Sequence, residues 1–425
     1  MKTPKPHQLR GADFIAERKR CALWWVPRRG KTLATVLGLE KLGRKNVLVV
    51  CPVTVMPVWK KEFAERGWPE SKVCEGSKSN KLEASKYVEG PVICSYESAW
   101  RLPLNQRKWD GIVFDESIRL NNWDAKSVKF WFGNQYLTDV CVLLSGAPCP
   151  EGYLQLAPQM LLCRGIWFKH TDIWSYLREF WSYDSETYNW ECEDHGHLTE
   201  VGRRMNIVGQ SGTLKDIGVM DTKLFSYMQA PLSGTQERMI RAVERSAIMP
   251  AIKGLKMQMI ANGLEGEGED IRVFDDAKTL ALKAYIEDKK NDEPGYSCVV
   301  MCRFVEQCIR ASELLGGGCI HGSVTGKPRQ QQIENFQSGK TQVIVCQVKT
   351  VKMGIDFSMA SEIHYISNSW SGDDRIQSQE RATNLNKTEP VGIIDWCAHA
   401  VEYAVAESVR GKQDFQMELL TRSQK

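Results

Sequence analysis

No run of apolar residues in this 425-residue chain approaches the roughly 20 needed to span a bilayer, and no apolar segment precedes the first charged residues. A soluble protein of the cytosol, with no membrane partner, is therefore expected. Strong net charge is missing too: 56 basic against 52 acidic residues leave +4, so any hold on nucleic acid must come from local patches. Nor is there a disulfide framework. The 14 cysteines fall in apolar runs such as "VLVVCPV", "VICSY" and "VIVCQV", where they read as small buried hydrophobes of a reducing compartment. No internal repeat marks a solenoid.

What is present is enough apolar residue, 42%, for two cores in a chain too long for one. Basic residues cluster at Arg18, Lys19, Arg20, Arg28, Arg29 and Lys31, and acidic ones from Glu265 to Asp276. Several of the 14 tryptophans lie between residues 100 and 190, where core packing is their expected use and base stacking the alternative.

Short apolar strands alternate with helical patterns. "CALWWV" runs into a loop and a helix from about Lys31 to Leu42; "NVLVVCPV", the helix "MPVWKKEFAERG", "GPVICSY", "GIVFDES" and "VCVLLSGAP" follow. A second series starts near residue 297 with "YSCVVMCRF", "GGGCIHGS", "TQVIVCQV", "EIHYIS" and "VGIIDWC", separated by helices. The pattern predicts an α/β protein of two lobes, each a mostly parallel sheet with helices on both faces. The first lobe spans 1–235 with a helical insertion at about 155–230, and the second spans 236–425.

In parallel sheets, ligands sit at the carboxyl ends of the strands. Three motifs lie at such ends. "WWVPRRGKTLAT" ends in Gly30, Lys31 and Thr32, the close of a phosphate-binding loop, although Trp25 stands where such loops carry their first glycine. "FDES" sends Asp115 out of an apolar strand, where its carboxylate can hold Mg²⁺ through water, with Thr32 as the other protein ligand. Glu116 beside it can orient and deprotonate the water that attacks a γ-phosphate. "SGAP" is the third.

In this order the motifs resemble those of superfamily 2 helicases, specifically the Swi/Snf-type DNA translocases. "PHQLRGADFI", "VLVVCPVTVMPVWKKEF", "FDESIRLNN", "LLSGAPCPEG", "IHGSVTGKPRQQQIENFQSG" and "VKTVKMGIDFSMASEIHYISNSWSGDDRIQSQERATNLNKTEPV" follow the family's spacing, including Trp370, Gln377, Arg381 and Pro390. In length the chain is most similar to short phage and bacterial members, which implies the cytoplasm of a bacterial or phage-infected cell. The insert with "YNWECEDHGHL" resembles the annealing-helicase branch.

The resemblance implies RecA-like lobes, ATP and Mg²⁺ as cofactors, double-stranded DNA as partner, and a monomer that translocates without a strand-separating wedge. It places Gln8 on adenine, and Arg29, Gly30, Lys31, Thr32, Gly354 and Asp356 on the nucleotide. Thr54, Ser95, Ser145, Lys349 and Trp370 fall on DNA, and Ser145, Gly146 and Pro148 couple hydrolysis to movement. Glu116 and Arg381 are the catalytic pair. Arg381 would reach the γ-phosphate from the second lobe, the two lobes closing on ATP and reopening after hydrolysis.

The chain also departs from the family. Arg28 stands where glycine is usual, Lys349 where arginine is, and Asp356 where asparagine is. Asn384 replaces the second of two arginines, and since an arginine finger is worth about a thousandfold or more in rate, slower hydrolysis is implied. Lys387 and Arg375 are candidate substitutes. Two alternatives stay open: an unwinding or annealing helicase of the same superfamily, and a weakly hydrolysing DNA-binding module on a degenerate ATPase. Cys192, His195 and His197 lack a fourth ligand for zinc, and Cys298 and Cys302 are expected to pack within a strand. His321 and Gly322 read as a turn.

Overall fold

Alternate residues of β1 (Arg20–Trp25) enter two different cores, with Ala22 and Trp24 on one face of the sheet and Cys21, Leu23 and Trp25 on the other. That alternation, with every position from Cys21 to Trp25 buried, is what a strand covered on both faces requires. In this computed structural model the described residues are 3–27, 29–163, 173–184, 189–191, 203, 205, 208–212, 223–268, 270–351, 355–382 and 389–422. The chain divides into two compact units, residues 1–220 with 414–425, and residues 221–413.

The first unit carries β1, β2 (Val47–Cys51), β3 (Lys72–Val73), β4 (Val92–Ser95), β5 (Gly111–Asp115), β6 (Cys141–Leu144) and, after the antiparallel pair β7 (Ser182–Asp184) and β8 (Asn189–Glu191), β9 (Gly209–Gly212). β1 to β6 and β9 form one parallel sheet in the order β3-β4-β2-β5-β6-β1-β9. Helices Lys31–Lys41 and Met56–Glu65 contribute Ala34, Val36, Leu39, Met56, Trp59 and Phe63 to one core, and helices Lys126–Gly133 and Leu156–Leu162 contribute Val128, Trp131, Leu156 and Met160 to the other. Full burial of each large apolar side chain contributes roughly 1.5–3 kcal/mol, which is how strands of only four to six residues hold together.

The second unit contains β10 (Lys223–Gln229), the small hairpin β11 (Leu264–Glu265) and β12 (Arg272–Val273), β13 (Cys298–Cys302), β14 (Gly318–Ile320), β15 (Val343–Gln347), β16 (Glu362–Tyr365) and β17 (Val391–Cys397). Its parallel sheet runs β10-β17-β16-β13-β15-β14. β10, which precedes the expected lobe boundary at residue 235, pairs along its whole length with β17. Val299, Met301, Ile344 and Cys346 pack on one face; Cys298, Val300, Cys302 and Val345 pack on the other. Cys298 and Cys302 are thus same-side core residues, as the strand period demands.

In the region read from sequence as a helical insertion, the described residues include the helix Ile173–Phe180 as well as β7, β8 and β9. Cys192, His195 and His197 lie outside the described residues, and no cluster of three or more His, Cys, Asp or Glu side chains that could hold a metal ion occurs among those described. No described helix is long and apolar enough to cross a membrane.

Candidate nucleotide site

Three strand-end loops of the first unit meet. The loop after β1 turns through Gly30, whose φ of 80° lies in the left-handed region, and the helix Lys31–Lys41 begins at once. A side chain there would be strained by the backbone angle and would have to displace the Gln8 amide, which occupies the place of a Cβ. The loop after β6 closes on the same place: a Cβ on Gly146 would lie 2.9 Å from the Pro27 ring. On the far side of β6 from β1, the neighbouring strand β5 ends in Asp115.

Lys31 donates through Nζ to the Trp25 carbonyl at 2.8 Å, so its ammonium is folded back under the loop. It is near enough to Asp115 for its positive charge to act on that carboxylate. Asp115 is 6% exposed, and burial pushes its carboxyl above the usual range, opposed by the Trp59 indole, Lys31 and the Glu116 N–H. Trp59 donates Nε1–H to Oδ2 at 2.8 Å, and the Glu116 N–H donates to Oδ1 at 3.0 Å. Each oxygen keeps a second lone pair.

Glu116 has φ 54° and ψ 55°, one of two described non-glycine residues with positive φ. A carboxylate side chain in that conformation costs on the order of 1–3 kcal/mol and persists only where its surroundings impose it. Strain of this kind concentrates at functional turns.

The remaining expected residues divide into several groups. Gln8 is buried, accepting the Lys5 N–H at 2.8 Å and donating to the Arg29 carbonyl at 3.5 Å; neighbouring His7 reaches the same carbonyl at 2.9 Å. Arg29 is turned into the fold, 5.1 Å over the Trp25 ring and against Gly212 of β9. Thr32 occupies the first turn of the helix. Thr54 is exposed. Ser95 and Ser145 are not available at the surface: the Ser95 hydroxyl caps a helix by accepting the Ser98 N–H at 3.2 Å, and Ser145, fully buried, accepts the Ala147 N–H at 3.2 Å. Their side chains complete the local backbone, so a phosphate would meet these segments through other atoms.

In the second unit Lys349 is exposed on the short helix Val348–Val351 and Trp370 is 47% exposed. Asp356 is exposed and accepts the Ser358 N–H at 2.9 Å. Arg381 follows the helix Gly372–Gln379, its carbonyl accepting from Phe357 at 2.8 Å. Arg375, a candidate stand-in for the missing arginine, is committed elsewhere: its guanidinium forks onto Asp395 at 2.7 and 2.8 Å, donates to Asn368 at 2.7 Å and lies 3.5 Å over the Tyr365 ring. At 5% exposure it is a structural ion pair, and the expectation is corrected accordingly. Arg28, Gly354, Asn384 and Lys387 lie outside the described residues.

Sequence reading missed His7, Trp59, Tyr96 and Gln159. Trp59 shares a helix stripe with Met56 and Phe63 and so reads as core; nothing in that spacing shows that its N–H points to Asp115. Tyr96 donates its hydroxyl to the Asp115 carbonyl at 2.9 Å. Gln159 accepts from Ser117 at 2.7 Å and donates to the Pro148 carbonyl at 2.7 Å.

Two parallel sheets flanked by helices, one with a glycine-lysine loop and an acidic strand end brought together, define the class of RecA-like, helicase-type ATPase folds. The SNF2-related domain matches residues 19–191 and the helicase conserved C-terminal domain matches residues 277–386, in that order. The chain belongs to the Swi/Snf-type family of helicase superfamily 2. Among solved structures it is similar to the "Sulfolobus solfataricus SWI2/SNF2 ATPase core in complex with dsDNA", with 17% identity over 98% of this chain and 93% of that one and a TM-score of 0.48. No curated protein matches it.

Proposed function

We propose that this protein is a Mg²⁺-ATP-dependent translocase on double-stranded DNA. The observation that carries the reading is that the Gly30–Lys31 loop after β1 and Asp115 at the end of β5, strands that flank β6, lie close enough for Lys31 to act on the Asp115 carboxylate, within a chain of the Swi/Snf family.

The residues fit the group they would hold. Gly30 opens a helix start, where backbone N–H groups favour an anion, and Lys31 adds a positive charge that can leave the Trp25 carbonyl for a phosphate. Gln8 reads the adenine edge, Gly354 and Asp356 complete the nucleotide contacts, and Arg29, its guanidinium turned onto Trp25, serves the loop through its backbone. Hard oxygen donors on Thr32 and Asp115 suit Mg²⁺, which when bound would offset charge on the phosphates. Glu116 takes the proton from the attacking water, and Arg381 stabilises the charge of the transferring group. Asp115 must be ionised for this, and the Trp59 N–H and Lys31 oppose the burial that would protonate it.

On DNA, Thr54, the Ser95 and Ser145 segments, Lys349 and Trp370 follow the phosphate backbone without reading sequence. The protein acts as a monomer. The test is phosphate release against duplex DNA, single-stranded DNA and RNA at two salt concentrations, beside triplex displacement. Duplex-specific, salt-sensitive stimulation that Lys31→Ala abolishes is expected. Turnover indifferent to DNA and to Lys31→Ala would leave only a DNA-binding module.

A further inference from the structure

Asp115 and Ser117 are joined to three other segments by side chains that otherwise look like core. Trp59, fully buried, follows β2 and holds the Asp115 carboxylate. Tyr96, 6% exposed, follows β4 and holds the Asp115 carbonyl; since the sheet order is β4-β2-β5, its hydroxyl passes over the end of an intervening strand to reach β5. Gln159, fully buried, bridges Ser117 to the carbonyl of Pro148 in the turn after β6. Between the attachment points of these arms sits Glu116, held in the left-handed conformation.

The outer ends of two arms lie in segments with outward-facing polar groups. Thr54, Lys60 and Lys61 are exposed on the segment that carries Trp59. Glu97 is exposed next to Tyr96, and Arg119, on the turn after Ser117, pairs with it at 2.9 Å. A displacement of either segment by a phosphate backbone therefore has a direct hydrogen-bonded path to Asp115, with no water or flexible chain between.

We propose that Trp59, Tyr96 and Gln159 are positioning residues that make hydrolysis at the Asp115–Ser117 turn conditional on DNA, by transmitting the placement of the Thr54, Ser95 and Ser145–Pro148 segments to Asp115 and Glu116. The inference rests on the DNA-stimulated hydrolysis proposed above. It assigns coupling to groups that touch neither nucleotide nor DNA, and it separates coupling from binding. Removing the Tyr96 or the Gln159 arm leaves the nucleotide loop, the Asp115 carboxylate with its Trp59 hydrogen bond and the exposed groups of the Thr54 segment in place, and loosens the turn's response.

The experiment uses the full chain with Tyr96→Phe, which removes a single oxygen, and independently Gln159→Met, which keeps side-chain length but drops its three side-chain hydrogen bonds, to Ser117, Pro148 and Gln155. Phosphate release is measured without DNA and at saturating duplex, with duplex affinity and thermal midpoint beside it. The ratio of stimulated to basal rate is expected to fall roughly fivefold in Tyr96→Phe, the worth of one ordinary buried hydrogen bond, and by at least as much in Gln159→Met, with duplex affinity unchanged. An unchanged ratio would overturn the inference. So would an equal fall in both rates, or a defect that saturating duplex restores. If the wild-type chain itself shows no stimulation, the proposed function fails and takes the inference with it.

Discussion

Gln8 fills the space that a side chain on residue 30 would need, its Nε2 standing 1.9 Å from the ideal Cβ position. Two separate penalties therefore meet at Gly30, displacement of the Gln8 amide from its hydrogen bonds and a φ of 80°. Gly30→Ala should lose nucleotide binding and destabilise the first unit by more than the ~1–2 kcal/mol that the backbone angle alone costs an L-residue. In the double variant with Gln8→Ala the steric part should disappear and the angular part remain. Urea unfolding of the two singles and the double measures this directly; simple additivity would show that the two residues do not compete for the space.

Glu116 offers a clean comparison of strain with function. Glu116→Ala and Glu116→Gly both remove the carboxylate, yet only glycine accepts φ 54° without steric cost. Hydrolysis should be lost in both, while the glycine variant should be more stable than the alanine variant by about 1 kcal/mol. Equal thermal midpoints would mean that the left-handed conformation carries no strain. Glu116→Gln should bind ATP with little change while hydrolysing at least about a hundredfold more slowly.

Much of this architecture is legible in the chain because parallel sheets are buried on both faces. "VLVVC", "GIVFD" and "VIVCQ" must be strands, and the residues that leave them must gather at one edge. The unreadable parts have a common physical origin. β9, "GQSG", and β10, "KLFSYMQ", are edge strands joined by backbone hydrogen bonds on one side only, so neither needs an apolar run. Ser95 and Ser145 were expected at a DNA surface because hydroxyls suit phosphates, but a hydroxyl next to a chain reversal is as readily consumed by a backbone N–H. Polar tips on core side chains, as in Trp59 and Tyr96, leave no trace in periodicity at all.

His7 gives the loop a pH dependence. Its ring reaches the Arg29 carbonyl at 2.9 Å, and burial lowers its pKa from the ordinary 6.5, helped by the nearby Arg29, Lys5 and Arg10 charges and opposed by that hydrogen bond. A depressed imidazole pKa favours the neutral form in the fold. Its contribution to stability is complete above 6.5 and is lost as pH falls from 6.5 through the lower folded value. Thermal midpoints between pH 8 and pH 5 should therefore decline more steeply for the wild type than for His7→Gln, which can still donate to Arg29 but cannot titrate. Parallel curves would remove His7 as the source.

Two arginines of the second unit, six residues apart, should separate by assay. Arg375 is 5% exposed and its guanidinium forks onto Asp395, itself 1% exposed. Arg375→Ala strands a buried carboxylate and should cost about 3–5 kcal/mol in urea unfolding, with Arg375→Lys recovering only part because an ammonium cannot make the fork. Arg381 lies at a less buried position just beyond the helix Gly372–Gln379, so Arg381→Ala should change stability by less than about 1 kcal/mol while DNA-stimulated phosphate release falls about a thousandfold. The contrast decides which arginine meets transition-state charge. A mild unfolding phenotype with severe loss of turnover in Arg375→Ala would reverse the assignment, since a buried guanidinium held by Asp395 and Asn368 is committed to the fold and not to a phosphate.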